Sequence, residues 1–415
     1  MTEPFDVIVI GGGAAGISAA RRLAANGRSV LIVEALARLG GRAHTRSVQE
    51  MPLDMGCGWF HSAERNPLAA IAQDSGIVLD RRESAWSRQL GNIDFSPHDQ
   101  QEAWHAFARF KDRLRAAPPP GDRASDAFPN TERWRPFADG LSSFMNGTEL
   151  DHLSATDFLA YEDASSDANW RIASGYGAFI VDLARALKVA QETTVSSLSF
   201  GTCIDVETDK GSLRARAVIV TVSTSILGRG DIRFPRDVDE HLHAAVQLPL
   251  GLADKIFFSM SDPHAVPPES HLLGHPDKAA TGSYYMRPLG RPIIECFIGG
   301  AWARELESRG QAAAIAFAKE ELTHLLGVNF TRGLAPLAVT QWAKAPTIGG
   351  SYSHARPGQA GARSILARPV SERLCFAGEA CSVHDFSTAH GAWQSGIEAA
   401  NHIDQFLPGS GKALS

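Results

Sequence analysis

Three consecutive glycines, Gly11-Gly12-Gly13, lie between an apolar pentapeptide and a helix-forming stretch, and they limit this chain more than any other feature. Asp6-Val7-Ile8-Val9-Ile10 is short and β-branched, the pattern of a buried strand. The sequence then reads G-x-G-x-x-G through Gly11, Gly13, Ala15 and Gly16. Gly11 allows a tight turn, Gly13 lets backbone approach a pyrophosphate, and Gly16 lets helix and strand pack closely. The spacing predicts a helix from about Ala14 to Asn26, stopped at Gly27, with its N-terminal N–H groups and positive dipole end aimed at that phosphate. Residues 28–33 return as a second strand. Glu34 follows at close to the spacing of about 20 residues expected of the acid that takes ribose hydroxyls. Glycines alone would be an ordinary turn; strand, helix and acid together point to a bound dinucleotide.

At 415 residues the chain is too long for one small core and suits two domains sharing a cofactor. Its 40 basic and 46 acidic residues form no long run of either sign, which argues against nucleic acid or an anionic membrane as partner. Five scattered cysteines suggest reduced thiols in a cytoplasmic protein. The first apolar run breaks at Gly11, so a signal peptide is not expected. No apolar stretch reaches the roughly 20 residues of a membrane span, and residues 406–411 read as a polar, flexible tail.

Past Glu34, Gly40-Gly41-Arg42 would bring bare backbone and a fixed cation to the same pyrophosphate, although a surface arginine on a loop has the same pattern. Asp54-Met55-Gly56-Cys57-Gly58-Trp59-Phe60-His61 sets glycines beside aromatics, which suits a flat ring system. Residues 101–114 read as an amphipathic helix, 116–121 as a breaker, and 131–147 as polar and aromatic with little periodicity. A helix is expected from about Gly175 to Leu187, then strands over 193–200, 202–208 and 212–222. Lys255 lies inside an apolar strand pattern, which is costly unless its amine finds a partner or snorkels from an edge. His264, His271 and His275 have no matched acids or cysteines nearby, and no metal is expected.

Gly11–Gly16, Glu34, Gly40-Gly41-Arg42 and Gly56–His61 together resemble the flavin-dependent amine oxidases, the family of monoamine and polyamine oxidases. The resemblance continues to the C-terminus. It implies FAD, with the backbone at Val195 meeting the adenine and Lys255 holding a water at the flavin N5. Where some members carry a cysteine that binds the flavin covalently, this chain has Ser351, so the FAD is expected to be non-covalent. Tyr352 matches an aromatic wall beside the substrate amine, with core filling as its alternative role. Phe376-Ala377-Gly378-Glu379 and residues 386–396 resemble the closing signature, with Glu379 near the ribitol or pyrophosphate and Ala389 near the flavin pyrimidine. A helix starting there would aim N–H groups at N1 and C2=O. Thr388 replaces the second aromatic wall of the monoamine oxidases. Trp59 stands where amino-acid oxidases have a carboxylate-gripping arginine, unless Arg171 or Arg287 substitutes.

The expected fold is α/β, a Rossmann-type FAD domain interleaved with an α+β substrate domain. The first takes residues 1–80, 172–242 and 346–410; the second takes 81–171 and 243–345. The expected activity is oxidation of a primary or secondary amine, polyamines included, with hydride transfer to the flavin and O2 reduced to hydrogen peroxide. Lys255, Tyr352 and His61 are the expected catalytic residues; Gly11, Gly13, Ala15, Gly16, Glu34, Gly41, Arg42, Gly56, Gly58, Trp59, Val195, Glu379, Thr388 and Ala389 are expected around the cofactor. An L-amino-acid oxidase, a flavin-dependent desaturase and an FAD-retaining binding module are the alternatives.

Overall fold

Strand, glycine turn and helix form where the sequence places them, as β1 (Phe5–Ile10), α1 (Ala14–Ala25) and β2 (Val30–Val33). They are seen in a computed structural model that describes residues 3–408. Of the expected flexible tail, Phe406 ends a helix and Leu407 is buried, while 409–411 lie outside the described residues.

A hairpin of β3 (Thr45–Val48) and β4 (Met51–Asp54) follows, then α2 (Pro67–Asp74) and β5 (Leu79–Asp80). Three helices come next: α3 (Pro97–Ala116), α4 (Arg135–Asn146) and α5 (Ala155–Ala164). They pack around Phe107, Phe110, Phe137 and Phe158. The chain returns through β6 (Arg171–Ile172), which pairs antiparallel with β5. Residues 131–147 therefore hold a helix where little periodicity was expected, and its Phe137, Leu141, Phe144 and Met145 recur at i, i+4, i+7 and i+8, the spacing of one helical face. Its buried residues also include Gly140, Ser142 and Ser143, small side chains that allow close packing. The helix α3 begins four residues earlier than expected, because Ser96 accepts from the Asp99 N–H and Pro97 occupies the first turn.

The helix α6 (Tyr176–Asp182) is shorter than expected; residues 183–187 are turns. It leads to β7 (Val189–Ala190), β8 (Val195–Phe200), β9 (Ile204–Thr208) and β10 (Gly211–Val220), then α7 (Thr224–Arg229) and α8 (Asp239–Val246). A second sheet holds β11 (Ala253–Met260), β12 (Ser270–Leu273), β13 (Ser283–Met286) and β14 (Ile293–Gly299). After α9 (Gly300–Arg309), α10 (Gln311–Leu326) and α11 (Val328–Arg332) it gains β15 (Leu334–Val339). The chain closes with α12 (Ala362–Ala367), β16 (Leu374–Phe376) and α13 (Ala389–Phe406).

The first sheet runs β7-β2-β1-β10-β9-β8, with β16 beside the C-terminal half of β10. Its β7, β2, β1, β10 and β16 are parallel, and Val7–Ile10 of β1, most of β2, Ala217–Val220 of β10 and β16 are buried on both faces. Along β1, Val7 and Val9 pack with α1 and α13, while Ile8 and Ile10 pack with α7, α8 and α12. The second sheet is antiparallel, in the order β12-β13-β14-β11-β15. The expected boundary at 242/243 cuts through α8, whose Ala244 and Ala245 belong with Leu248 to the first sheet's core.

One buried ion pair crosses between the helical insertion and the C-terminal part of the chain. Arg363 and Asp157 are both almost fully buried, with Nε–Oδ1 at 2.5 Å and Nη2–Oδ2 at 2.8 Å. Removing one partner of such a pair leaves an uncompensated charge and costs about 3–5 kcal/mol. Asp157→Asn should therefore lower the melting temperature markedly in a thermal unfolding scan; a variant that melts with the parent would contradict this role.

Candidate active site

A cavity of about 1120 Å³ opens from the C-terminal ends of β1 and β2, beside the second sheet, to the faces of α3 and α4. Its nucleotide end is bare backbone. Gly11 has φ +105°, and a Cβ at Gly16 would collide with the Gly11 carbonyl, so α1 can sit tightly on the turn. A Cβ at Gly13 would meet nothing nearer than 3.9 Å. Gly11, Gly13, Ala15 and Gly41 line the cavity; Gly16 does not, because its role is spent inside the turn. Glu34 Oε2 accepts the Gly12 N–H at 2.6 Å and Oε1 accepts the Leu36 N–H at 2.9 Å. Burial raises its carboxyl, and those two N–H groups and Arg38 oppose the rise. Val195 begins β8 on the same wall.

Glu379 ties the middle of the cavity together. It accepts from Arg42 Nη1 at 2.8 Å, the Ser353 hydroxyl at 2.7 Å and the Ser387 N–H at 2.9 Å. Burial alone would raise this carboxyl, but Arg42 and Arg363, with the Ser353 hydroxyl, hold it below its ordinary value. Arg42 also donates to the Ser351 carbonyl at 2.7 Å, so the fixed cation expected at a pyrophosphate has protein partners as well as a face on the cavity. The Ser351 hydroxyl is held by the backbone of Ala253 at 2.8 Å. Thr388 caps α13, its hydroxyl accepting the Gly391 N–H at 3.0 Å, and the first turn of that helix presents Ala389 to the cavity.

Lys255 is buried on β11, a central strand between β14 and β15, so the edge-strand alternative is excluded. Its Nζ donates to the Asp54 carbonyl at 2.9 Å and pairs with Glu295 Oε1 at 2.7 Å. Gly58 is beside it: a Cβ there would lie 3.7 Å from Nζ. Gly56 meanwhile leaves no room for a Cβ against the Arg42 carbonyl. Cys57 also reaches the cavity, but burial pushes its thiol up to about 12, which makes it inert.

On the substrate side, His61 Nδ1 lies 2.7 Å from Asn169 Oδ1, and burial brings the imidazole down to about 4, so it is neutral at pH 7. Trp59 packs between the tilted ring of Trp86, at 4.5 Å, and Tyr285, edge-on at 5.8 Å. Arg171 lies 4.5 Å over Trp59, but Asp80 and Glu269 hold it at 2.5 and 2.6 Å. Arg287 donates to the Val266 carbonyl at 3.1 Å, and neither arginine is on the cavity wall. Tyr352 lines the cavity and donates its hydroxyl to the Phe144 carbonyl.

Every expected site residue except Gly16 thus faces one cavity. Sequence reasoning missed Glu295 and Asn169. Glu295 carried the same signal as Lys255, a charge inside the apolar run Ile293-Ile294-Glu295-Cys296-Phe297. The expected absence of a histidine metal site left His271 unassigned; it hydrogen-bonds Ser283 Oγ at 2.8 Å.

A glycine cradle at a helix N-terminus, a buried acid beside it and a lysine-bearing second sheet define a dinucleotide-dependent oxidoreductase site. The residues present fit FAD: the cradle is open where Gly13 faces the cavity, and the cavity exceeds the 300–1,000 Å³ or so that a small ligand needs. Residues 14–121 and 118–404 match the family described as flavin containing amine oxidoreductase. Polyamine oxidase 4 of Oryza sativa subsp. japonica is 28% identical, covering 96% of this chain and 88% of that protein. A lysine-specific histone demethylase 1 homolog of the same plant is 27% identical over 96% of this chain and 56% of its own. Putrescine oxidase bound to putrescine superposes with a TM-score of 0.80 at 17% identity, over 98% of this chain and all of that one. The chain belongs to the flavin containing amine oxidoreductases, and it is an FAD-dependent amine oxidoreductase.

The buried histidines fix a pH dependence. Burial lowers His61 and His271 from 6.5 to about 4. As pH falls below 6.5 the unfolded chain takes up these protons first, so stability is lost down to about pH 4 and is full above 6.5. His271→Gln should flatten the fall of melting temperature in that window; an unchanged slope would contradict the assignment.

Proposed function

We propose that this protein oxidises a primary or secondary amine, polyamines included, to an imine and passes the electrons to O2. The amine carbon loses a hydride and its nitrogen a proton; water then converts the imine to a carbonyl compound and a smaller amine or ammonia. Two electrons and two protons reduce O2 to hydrogen peroxide. The bound FAD supplies the two-electron chemistry. Gly11, Gly13, Glu34 and Arg42 would hold its dinucleotide, and the N-terminus of α13 and the backbone of residues 56–58 would serve its ring. A lobe built on the first sheet binds the cofactor and one built on the second sheet and α3–α5 binds substrate, in the cytoplasm, where the five free thiols would stay reduced.

The observation that carries this reading is Lys255. Asp54 and Glu295 take two of its three N–H donors and leave one for the cavity, where it can hold a water or position oxygen. With Asn169 Oδ1 accepting from Nδ1, neutral His61 offers Nε2 as an acceptor to the amine N–H. Tyr352 walls the amine on one side; Thr388 leaves the other side open.

An amino-acid oxidase would need a cation for the α-carboxylate, and the two arginines nearest that role are engaged elsewhere. Peroxide production on matched pairs, such as tryptamine against tryptophan, should favour the amine, and faster turnover of the amino acids would overturn the reading. Lys255→Met keeps the apolar stem, so the protein should fold and retain yellow flavin while reoxidation by oxygen slows far more than reduction by amine. Unchanged reoxidation in stopped flow would refute the lysine's role.

A further inference from the structure

Beyond Tyr352 the cavity continues along an apolar wall built by α3 and α4. The Tyr352 hydroxyl donates to the Phe144 carbonyl, which puts the two rings' residues side by side. From there Phe144, Leu141, Phe137, Trp104 and Phe107 follow one another along the lining. Trp104 meets Phe137 edge-on at 5.3 Å and Phe107 at 6.4 Å, so the far part of this apolar wall is an aromatic cluster.

Charge along this wall is already balanced. The acid that reaches it, Glu162 on α5, is half-buried and bound to Lys111 at 3.0 Å. Lys111 Nζ also lies 5.5 Å over the Phe107 ring, so the cation-attracting face of that ring has its own cation. His271, on the opposite side, is neutral at pH 7 because burial lowers it to about 4. The other two acids on this side of the cavity, Glu83 and Asp167, are exposed to water. A second ammonium carried into the wall would lose its hydration and meet Lys111 in place of a free carboxylate. Burying an ion without a partner is strongly disfavoured, whereas a methylene chain or an aryl ring gains by the same transfer.

We propose that the preferred substrate carries a single cationic nitrogen and an apolar, best aromatic, tail that lies along the α3–α4 wall. This rests on the amine-oxidation reading above and narrows it, setting the chain apart from relatives named for polyamines. Lys111 is then a specificity-determining residue, because it cancels the acid that would receive a distal ammonium.

The test compares amines of equal length that differ in the distal group. Hexylamine and 1,5-diaminopentane have the same number of heavy atoms, one ending in a methyl group and the other in an ammonium. With the holoenzyme, kcat/KM from peroxide production and anaerobic flavin bleaching should favour hexylamine and 2-phenylethylamine by about a hundredfold over the diamine and spermidine. Lys111→Met frees Glu162 and should narrow that ratio by about tenfold, with flavin content unchanged. A holoenzyme that prefers the diamine or spermidine overturns the inference and leaves amine oxidation standing, and an unaltered ratio in Lys111→Met overturns it too. Failure of every amine to bleach the flavin overturns the amine-oxidation reading, and the inference falls with it.

Discussion

The contact between Arg42 and Glu379 is the point on which the arrangement of this cavity depends. Two residues 337 apart in sequence meet at 2.8 Å, and each brings a different part of the chain. Arg42 comes from the loop after β2 and fixes the Ser351 carbonyl. Glu379 comes from the turn after β16 and fixes Ser353 and Ser387. Through Ser353 the contact extends to Arg363, at 2.9 Å, and from there to Asp157 in the helical insertion. A buried carboxylate stays ionised only with such partners, so the network and the low-lying Glu379 carboxyl require one another. The loop that would meet a pyrophosphate, the segment carrying Ser351 and Tyr352, and the N-terminus of α13 are thereby set relative to one another.

The second constraint is electrostatic. Lys255 is a cation inside a central strand, tolerable because Glu295 lies diagonally across on the neighbouring strand and the Asp54 carbonyl closes the shell. Asp54 also receives the N–H groups of Tyr176 and Gly177 at 2.9 and 3.1 Å. The lysine is therefore anchored to the β3–β4 hairpin as well as to its own sheet. Around it the wall is neutral or apolar: His61 is uncharged and Cys57 stays a thiol. Near Lys255 a fixed cation among uncharged side chains favours an amine in its neutral form over its ammonium.

How much of this the sequence revealed follows from the range of each signal. The β1–α1–β2 unit was legible because turn, helix and acid are local, and so was Lys255, because a charge in an apolar strand is itself an anomaly. Glu295 was equally anomalous, but its partner depends on the β11–β14 register, which pairs Lys255 with Phe297 and carries no local mark. The helix α4 was legible too, in Phe137, Leu141, Phe144 and Met145 at i, i+4, i+7 and i+8, but the non-helical polar residues 131–134 ahead of it dilute that period. The pairing of Arg363 with Asp157 spans 206 residues and has no sequence signature at all. Family resemblance supplied the roles of Val195, Tyr352 and Ala389, and the cavity brings all three to its wall.

The central claim, that a network centred on Glu379 organises the cofactor site, is tested most directly by titrating deflavinated protein with FAD. Wild-type protein should bind one equivalent tightly and regain its visible spectrum. Glu379→Gln keeps the shape but removes the charge that Arg42 and Arg363 face, so its Kd for FAD should rise by at least about tenfold. Equal affinity for FAD in the two proteins would contradict the account.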